Sequence, residues 1–204
     1  MHRLRWFLIG VLTVCVVIVA AAAVWMSLAH GFSANAPPSR PERWLAARAR
    51  DAAMPADAAA RQNPVPNTPE VLAEARAHWA DHCAICHDND GSGGTMIGTH
   101  TYPPAPDMRK EGTQHLSDGE LFYIIQNGIR LSAMPAWATG SSHDEEDSWK
   151  LVRFIRHLPQ LTFEEKKDME KLNPKGPEDR QEEEDEEKFL NGEDTHEPTE
   201  HHHH

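Results

Sequence analysis

From Trp6 to Ala29 the chain runs for twenty-four residues without a charged side chain, and almost all of them are apolar. Where the surroundings offer no water, a lone segment satisfies its own amides and carbonyls only as a helix. About 20 such residues cross a bilayer, whereas the apolar region of a secretory signal is about 7–15 long. The length therefore predicts an uncleaved anchor. Ser27-Leu28-Ala29 does offer a small-residue pattern of the kind a signal peptidase cuts. His2, Arg3 and Arg5 precede the run and the next Lys or Arg is Arg40. The positive-inside rule then places the N-terminus in the cytoplasm and the rest in the periplasm or an equivalent outer space. The expectation is a single-pass protein of the inner membrane. Cys15, inside the run, lacks the small-residue context of a lipid-modified cysteine and reads as filler of the membrane helix.

The opposite end is acidic. Glu164 to His204 holds sixteen Asp and Glu against six Lys and Arg, a local charge of −10 in a chain of net charge −12. Acidity of this kind argues against nucleic acid as a partner, because phosphate neutralisation needs clustered Lys and Arg. Residues 178–200 contain twelve acids opposed only by Arg180 and Lys188, with no apolar periodicity, so disorder is expected there. His196 and His201 to His204 end the chain. Among carboxylates they form a possible divalent-metal site for Cu, Ni or Zn, or else an inert solvated end or tag.

Between these ends the chain divides into an anchor (1–30), an Ala/Pro-rich tether (31–66), a main domain (67–161), and a polar helix with an acidic, His-ending tail (162–204). Within the tether, Pro41 to Ala53 has the spacing of a short amphipathic helix that begins near Ser39. Its Trp44 is expected either on the main domain or at the membrane surface. The main domain reads as all-α, with three to four short helices. Thr68-Pro69 starts one, with Val71, Leu72, Ala75 and Trp79 on one face, and it runs directly into Cys83. Ser117-x-x-Glu120 is a capping box for a second, which stops at Gly128. A third begins near Asp144, carries Trp149, Val152, Phe154, Ile155 and Leu158, and ends at Pro159. Thr162-x-x-Glu165 caps a fourth, mostly polar, to about Leu172.

His87 to Ser117 shows no apolar period; Gly91, Gly93, Gly94, Pro103, Pro104 and Pro106 mark a long irregular loop. A loop of this length in a small domain usually has a job, and three short helices bury little core without a staple. Wrapping a large apolar cofactor meets both needs. Cys83-Ala84-Ile85-Cys86-His87 supplies the chemistry. Two thiols one helical turn apart face the same way and can add to the two vinyl groups of one porphyrin. His87, next in line, can place Nε2 on iron, with its other nitrogen held by an acceptor, for which a backbone carbonyl of Pro103–Pro106 is the candidate. The motif also admits other readings. Zinc would need about four ligands, and with no second Cys pair it would have to enlist His82 and His100. A thioredoxin-like dithiol would expect a strand before the cysteines, where a helix stands instead.

A haem held by His87 needs a ligand on its far side, and the candidates are Met96, Met108, Met134, His100 and His115. Met134 precedes Pro135, which biases it to extended backbone passing across a haem face. Met96 and Met108 read better as packing residues, and the histidines would give a bis-His haem of lower potential.

Helix–Cys83-Ala84-Ile85-Cys86-His87–loop–helix–Met134-Pro135 resembles the single-haem class I cytochrome c domain over roughly residues 67–161. The run Ser117-Asp118-Gly119-Glu120, Gly128-Ile129 and Met134-Pro135-Ala136-Trp137 strengthens the likeness. Asp88 departs from it, standing where many relatives have glycine. The resemblance implies one covalent haem c per chain, with Cys83 and Cys86 as thioether attachments, His87 as proximal iron ligand and Met134 as distal ligand. It also implies a membrane-anchored electron carrier, with redox proteins in or at the membrane as partners, and no intrinsic catalysis. Two alternatives stay open. One is an electron-accepting subunit of a membrane-bound respiratory dehydrogenase or oxidase. The other is a haem enzyme with an open sixth position.

Overall fold

The computed structural model describes residues 2–28 and 33–191. All regular structure among them is helical. The terminal histidines, His196 and His201 to His204, lie outside the described residues.

α1 (His2–Leu28) is exposed along its described length and is long and apolar enough to cross a membrane, which supports membrane anchoring. Its few hydroxyls turn back on their own helix: Thr13 Oγ1 donates to Ile9 O at 2.9 Å and Ser27 Oγ to Ala23 O at 2.9 Å. A helix side surrounded by lipid requires such self-satisfaction. α2 (Arg40–Ala53) is capped reciprocally by Ser39 and Glu42 and has no buried residue.

The core is built on α8 (Ser142–His157), which starts at an Ser141 cap with Asp144 and Glu145 in its first turn. Trp149, Val152, Phe154 and Ile155 recur at helical spacing and are buried. α3 (Pro69–His78), capped by Thr68, packs along α8, as does α7 (Asp118–Asn127), which runs from its Ser117–Glu120 capping box to Gly128. Phe122 of α7 stacks on Trp149 with ring centroids 4.0 Å apart, and the Arg61 guanidinium lies over Phe122 at 4.4 Å. α9 (Phe163–Glu170), capped by Thr162, inserts the fully buried Met169. The segment before α3 is sewn to α8. Asn63 Nδ2 donates to Trp149 O at 2.9 Å, and Arg153 Nη2 donates to Val65 O at 2.8 Å. Buried apolar residues accordingly run from Ala58 to Met169.

Three short helices add to the expected ones: α4 (Ala84–His87), α5 (Met96–His100) and α6 (Glu111–Gln114). The last two lie in the stretch that lacks apolar periodicity, and caps and turns rather than a packed stripe hold them. Thr95 Oγ1 accepts from Gly98 N at 2.8 Å at the start of α5. Gln114 Nε2 ties α6 to Met108 O at 2.7 Å and to Ile155 O of α8 at 2.9 Å.

One stretch departs from expectation. Within the acidic residues read as disordered, Pro177–Leu190 forms a helix, α10. Proline suits a first helical turn, and Glu, Gln and Lys have good helix propensity even where nothing packs against them. Phe189 and Leu190 at its end are exposed.

Candidate haem site

α3 does not pass into the cysteine motif as a regular α-helix. From Trp79 to Cys83 the backbone widens into a π turn, closed by Ala84 N donating to Trp79 O. α4 follows at once and holds Ala84 to His87. Cys83 therefore ends the π turn, while Cys86 and His87 sit on the single turn of α4. Trp79 fixes this turn from the core side. It packs on Phe154 at 5.5 Å and on the His87 ring at 5.8 Å, and its Nε1 donates to Asp88 O at 3.0 Å.

α5 packs on the other side of α4. Thr95 Oγ1 donates to Ile85 O at 2.8 Å and stands 3.2 Å from Cys86 O, engaging the carbonyls that end a short helix. Gly98 comes so close that a Cβ there would run into Cys86 O. The loop closes further when Gly93 N donates to His87 O at 2.9 Å and Ala105 N to Gly98 O at 2.8 Å. At Asp88 the chain leaves α4 with φ 65° and ψ 160°.

His87 Nδ1 is buried and has no hydrogen-bond partner. The acceptor expected from Pro103–Pro106 is thus not engaged. That stretch is committed to its own loop, with Pro103 O accepting from Thr101 Oγ1 at 3.2 Å and the Ala105 carbonyl lying against Gly93. Burial also pushes the His87 pKa below its ordinary value. The imidazole is thereby held neutral, the form that binds a metal. Burial, with Cys86 adding to it, pushes the Cys83 thiol up to about 12.

These facts separate the readings of the motif. A dithiol that exchanges disulfides needs a thiolate, and Cys83 is set against one. Zinc needs further donors, and among the described residues no group of three or more His, Cys, Asp and Glu is arranged to hold a metal ion. His82 and His100 are engaged elsewhere: His82 pairs with Asp81 at 3.1 Å, and His100 Nδ1 meets Met96 O at 2.8 Å. An apolar, covalently bound macrocycle fits the donor set. It asks for a pair of thiols and, next to them, one neutral imidazole.

Met134 is half-buried in an extended segment that folds back over the end of α7. Its carbonyl accepts from Ile129 N at 3.2 Å, Trp137 N donates to Ile125 O at 3.2 Å, and Ala138 N to Gln126 O at 3.1 Å. Gly128 permits this return, since a Cβ there would lie 2.6 Å from Pro135 C. The Trp137 ring meets His82 edge-on at 5.7 Å. The Met134 segment thus reaches the residue next to Cys83. Of the other candidates, Met108 packs against the core, Met96 is largely exposed on α5, and His115 is exposed and paired with Glu111 at 3.0 Å. Trp79, Thr95 and Gly98 are positioning residues that no motif announced. Trp79 read only as one more apolar position on its helix.

An all-helical core that presents a Cys-x-x-Cys-His turn beside a Met-Pro segment defines a c-type cytochrome. Comparison with known families agrees: residues 70–155 match the family model described as cytochrome C oxidase, cbb3-type, subunit III. The chain therefore carries a c-type cytochrome domain, its cofactor is covalently bound haem c, and its activity is haem-based electron transfer. No curated protein matches the chain at a significant level.

Proposed function

We propose that Cys83 and Cys86 hold the haem as thioethers and that His87 and Met134 ligate its iron from opposite sides. The chain then serves as a single-pass, membrane-anchored electron carrier, with its N-terminus in the cytoplasm and its haem domain in the periplasm. The observation that carries this reading is the buried His87 imidazole, which follows Cys86 on the single turn of α4 and is backed by Trp79, with the Met134 segment brought to the neighbouring His82 through Trp137. When bound, the haem supplies reversible one-electron exchange at iron. The protein's part is to hold two axial side chains at fixed positions and to keep water away. Trp79 backs the His87 ring, and the hydrogen bonds from Trp137 and Ala138 to the end of α7 hold the Met134 strand. A thioether ligand favours a potential toward the upper part of the haem range of about 0.8 V. With both axial positions filled no site is left for substrate, which favours transfer over catalysis.

Met134→Leu tests the assignment. The reduced wild-type holoprotein is expected to show a six-coordinate low-spin spectrum and no carbon monoxide binding. The variant should turn high-spin and bind carbon monoxide. An unchanged low-spin spectrum in the variant would remove Met134 from the site.

The matched family's description favours a second reading, in which this domain is a subunit that passes electrons within a membrane oxidase complex. Purification from native membranes in mild detergent separates the two. A stoichiometric complex with other redox subunits supports the subunit, and a haem protein eluting alone supports the carrier.

A further inference from the structure

α2 is a surface element that the electron-transfer reading does not use. Pro41, Trp44, Leu45, Arg48 and Ala52 recur at i, i+3, i+4, i+7 and i+11, forming one stripe along the helix. All five are exposed, Trp44 and Leu45 each at 63%. The opposite flank, at Glu42, Ala47 and Arg50, is half-buried, and Tyr102 Oη donates to Glu42 Oε1 at 3.2 Å from the loop that follows α5. The stripe therefore points away from the haem domain.

We infer that this stripe lies in the headgroup zone of the bilayer spanned by α1, binding anionic lipid and setting the angle at which the haem domain stands on the membrane. Three observations converge. Eleven residues separate Leu28 from Arg40, so the chain keeps α2 within about 40 Å of the end of α1 even when fully extended. α2 carries Arg40, Arg43, Arg48 and Arg50 against Glu42 and Asp51, a surplus of two positive charges in a chain of net charge −12. Its exposed stripe combines a tryptophan, which favours the membrane–water boundary, with a leucine and an arginine whose stem can lie along apolar surface while its head stays in water. Through Glu42 and Tyr102 the same helix touches the loop leading from α5, which packs on α4. The inference rests on α1 being the anchor.

The test uses the full-length holoprotein, with Cys15→Ser, in nanodiscs of phosphatidylcholine and phosphatidylglycerol. A nitroxide is attached at Ala52→Cys on the stripe or at Ala46→Cys on the far side. Power-saturation EPR reads collision with oxygen, which concentrates in lipid, and with a water-soluble nickel chelate. At position 52 nickel access should fall several-fold relative to position 46 while oxygen access rises, and Trp44→Ser with Leu45→Ser should abolish the difference. Equal nickel access at the two positions overturns the inference. So does a joint fall of nickel and oxygen access at position 52, which would mean that protein, such as the acidic α10 or a partner, covers the stripe. Resistance of the same protein to alkaline carbonate extraction reports on α1 separately, so a failed anchor is distinguishable from a failed stripe.

Discussion

Asp88 holds a backbone conformation that costs a non-glycine residue about 1–3 kcal/mol. Its side chain returns part of that, accepting from Asn89 N at 2.6 Å and from Ser92 Oγ at 3.2 Å. The positive φ explains why the resemblance called for glycine here, a reason that spacing alone did not supply. Two substitutions pull these effects apart. Asp88→Ala keeps the strain and loses the hydrogen bonds, so denaturant unfolding of the holoprotein should show a loss of about 1–2 kcal/mol. Asp88→Gly trades both and should fall within about 1 kcal/mol of wild type. Gly98 is the stricter position, because a Cβ would meet the backbone of Cys86 and Gly93. Gly98→Ala should cost about 1–3 kcal/mol and lower the yield of covalent haem, read from the haem absorbance per chain after denaturation. The motif residues were legible because chemistry demands them in order. Gly98 was not, because its constraint is a contact between segments.

The long helices were the most legible elements. Ser117-x-x-Glu120, Thr162-x-x-Glu165 and the Trp149–Leu158 stripe carried local signals that survive folding, and α7, α9 and α8 stand where those signals lie. The loop from Asp88 to Ser117 was legible only as an absence of pattern. Its order comes from ion pairs that a periodic pattern does not announce: Arg109 joins its neighbour Asp107 at 2.8 Å and the distant Asp90 at 3.1 Å, and Lys166 of α9 reaches Asp90 at 3.1 Å. The Arg109 guanidinium is the main cause that holds the Asp107 carboxyl well below the usual carboxylate range. A carboxylate with a depressed folded pKa adds stability that is fully present above its unfolded value, about 3.9, and is lost as pH falls through the folded one. Below about pH 4 the wild-type unfolding free energy should thus fall more steeply than that of Asp107→Asn. Parallel slopes in acid denaturation would refute this. α9 is tied to the folded unit by the ion pairs of Glu165 and Lys166 and by the fully buried Met169. Met169→Ala should cost about 2–5 kcal/mol while leaving the position of the haem Soret band unchanged.

At the scale of the molecule the chain sorts its charge and apolarity by region: a helix uncharged beyond Arg5, a basic helix, a mixed haem domain and an acidic helix follow one another. Composition made that order readable. It did not reveal that the acidic stretch is partly helical, because α10 owes its form to intrinsic propensity and not to a stripe. Nor did it show that the core begins before α3, at Ala58 and Val65. Those two small residues lie in a Pro-rich stretch and are buried only because Asn63, Arg61 and Arg153 draw it onto α7 and α8. Since the side chains described in α10, at 181, 182 and 184–190, are exposed, truncation after Gly176 should leave the thermal midpoint and haem spectrum of the holoprotein unchanged. A lowered midpoint would show that α10 packs on the domain.

The π turn from Trp79 to Cys83 works as an angular index. Upstream of it, the rotation of α3 is dictated by its seat on α8; downstream, the rotation of α4 decides which way Cys86 and His87 look. An unbroken α-helix would have given α4 a different rotation on the same seat. One residue of extra winding offsets the second angle from the first. The offset lays the His87 ring on Trp79, which leans on Phe154 of α8, so the packing of the interior itself sets where the imidazole looks.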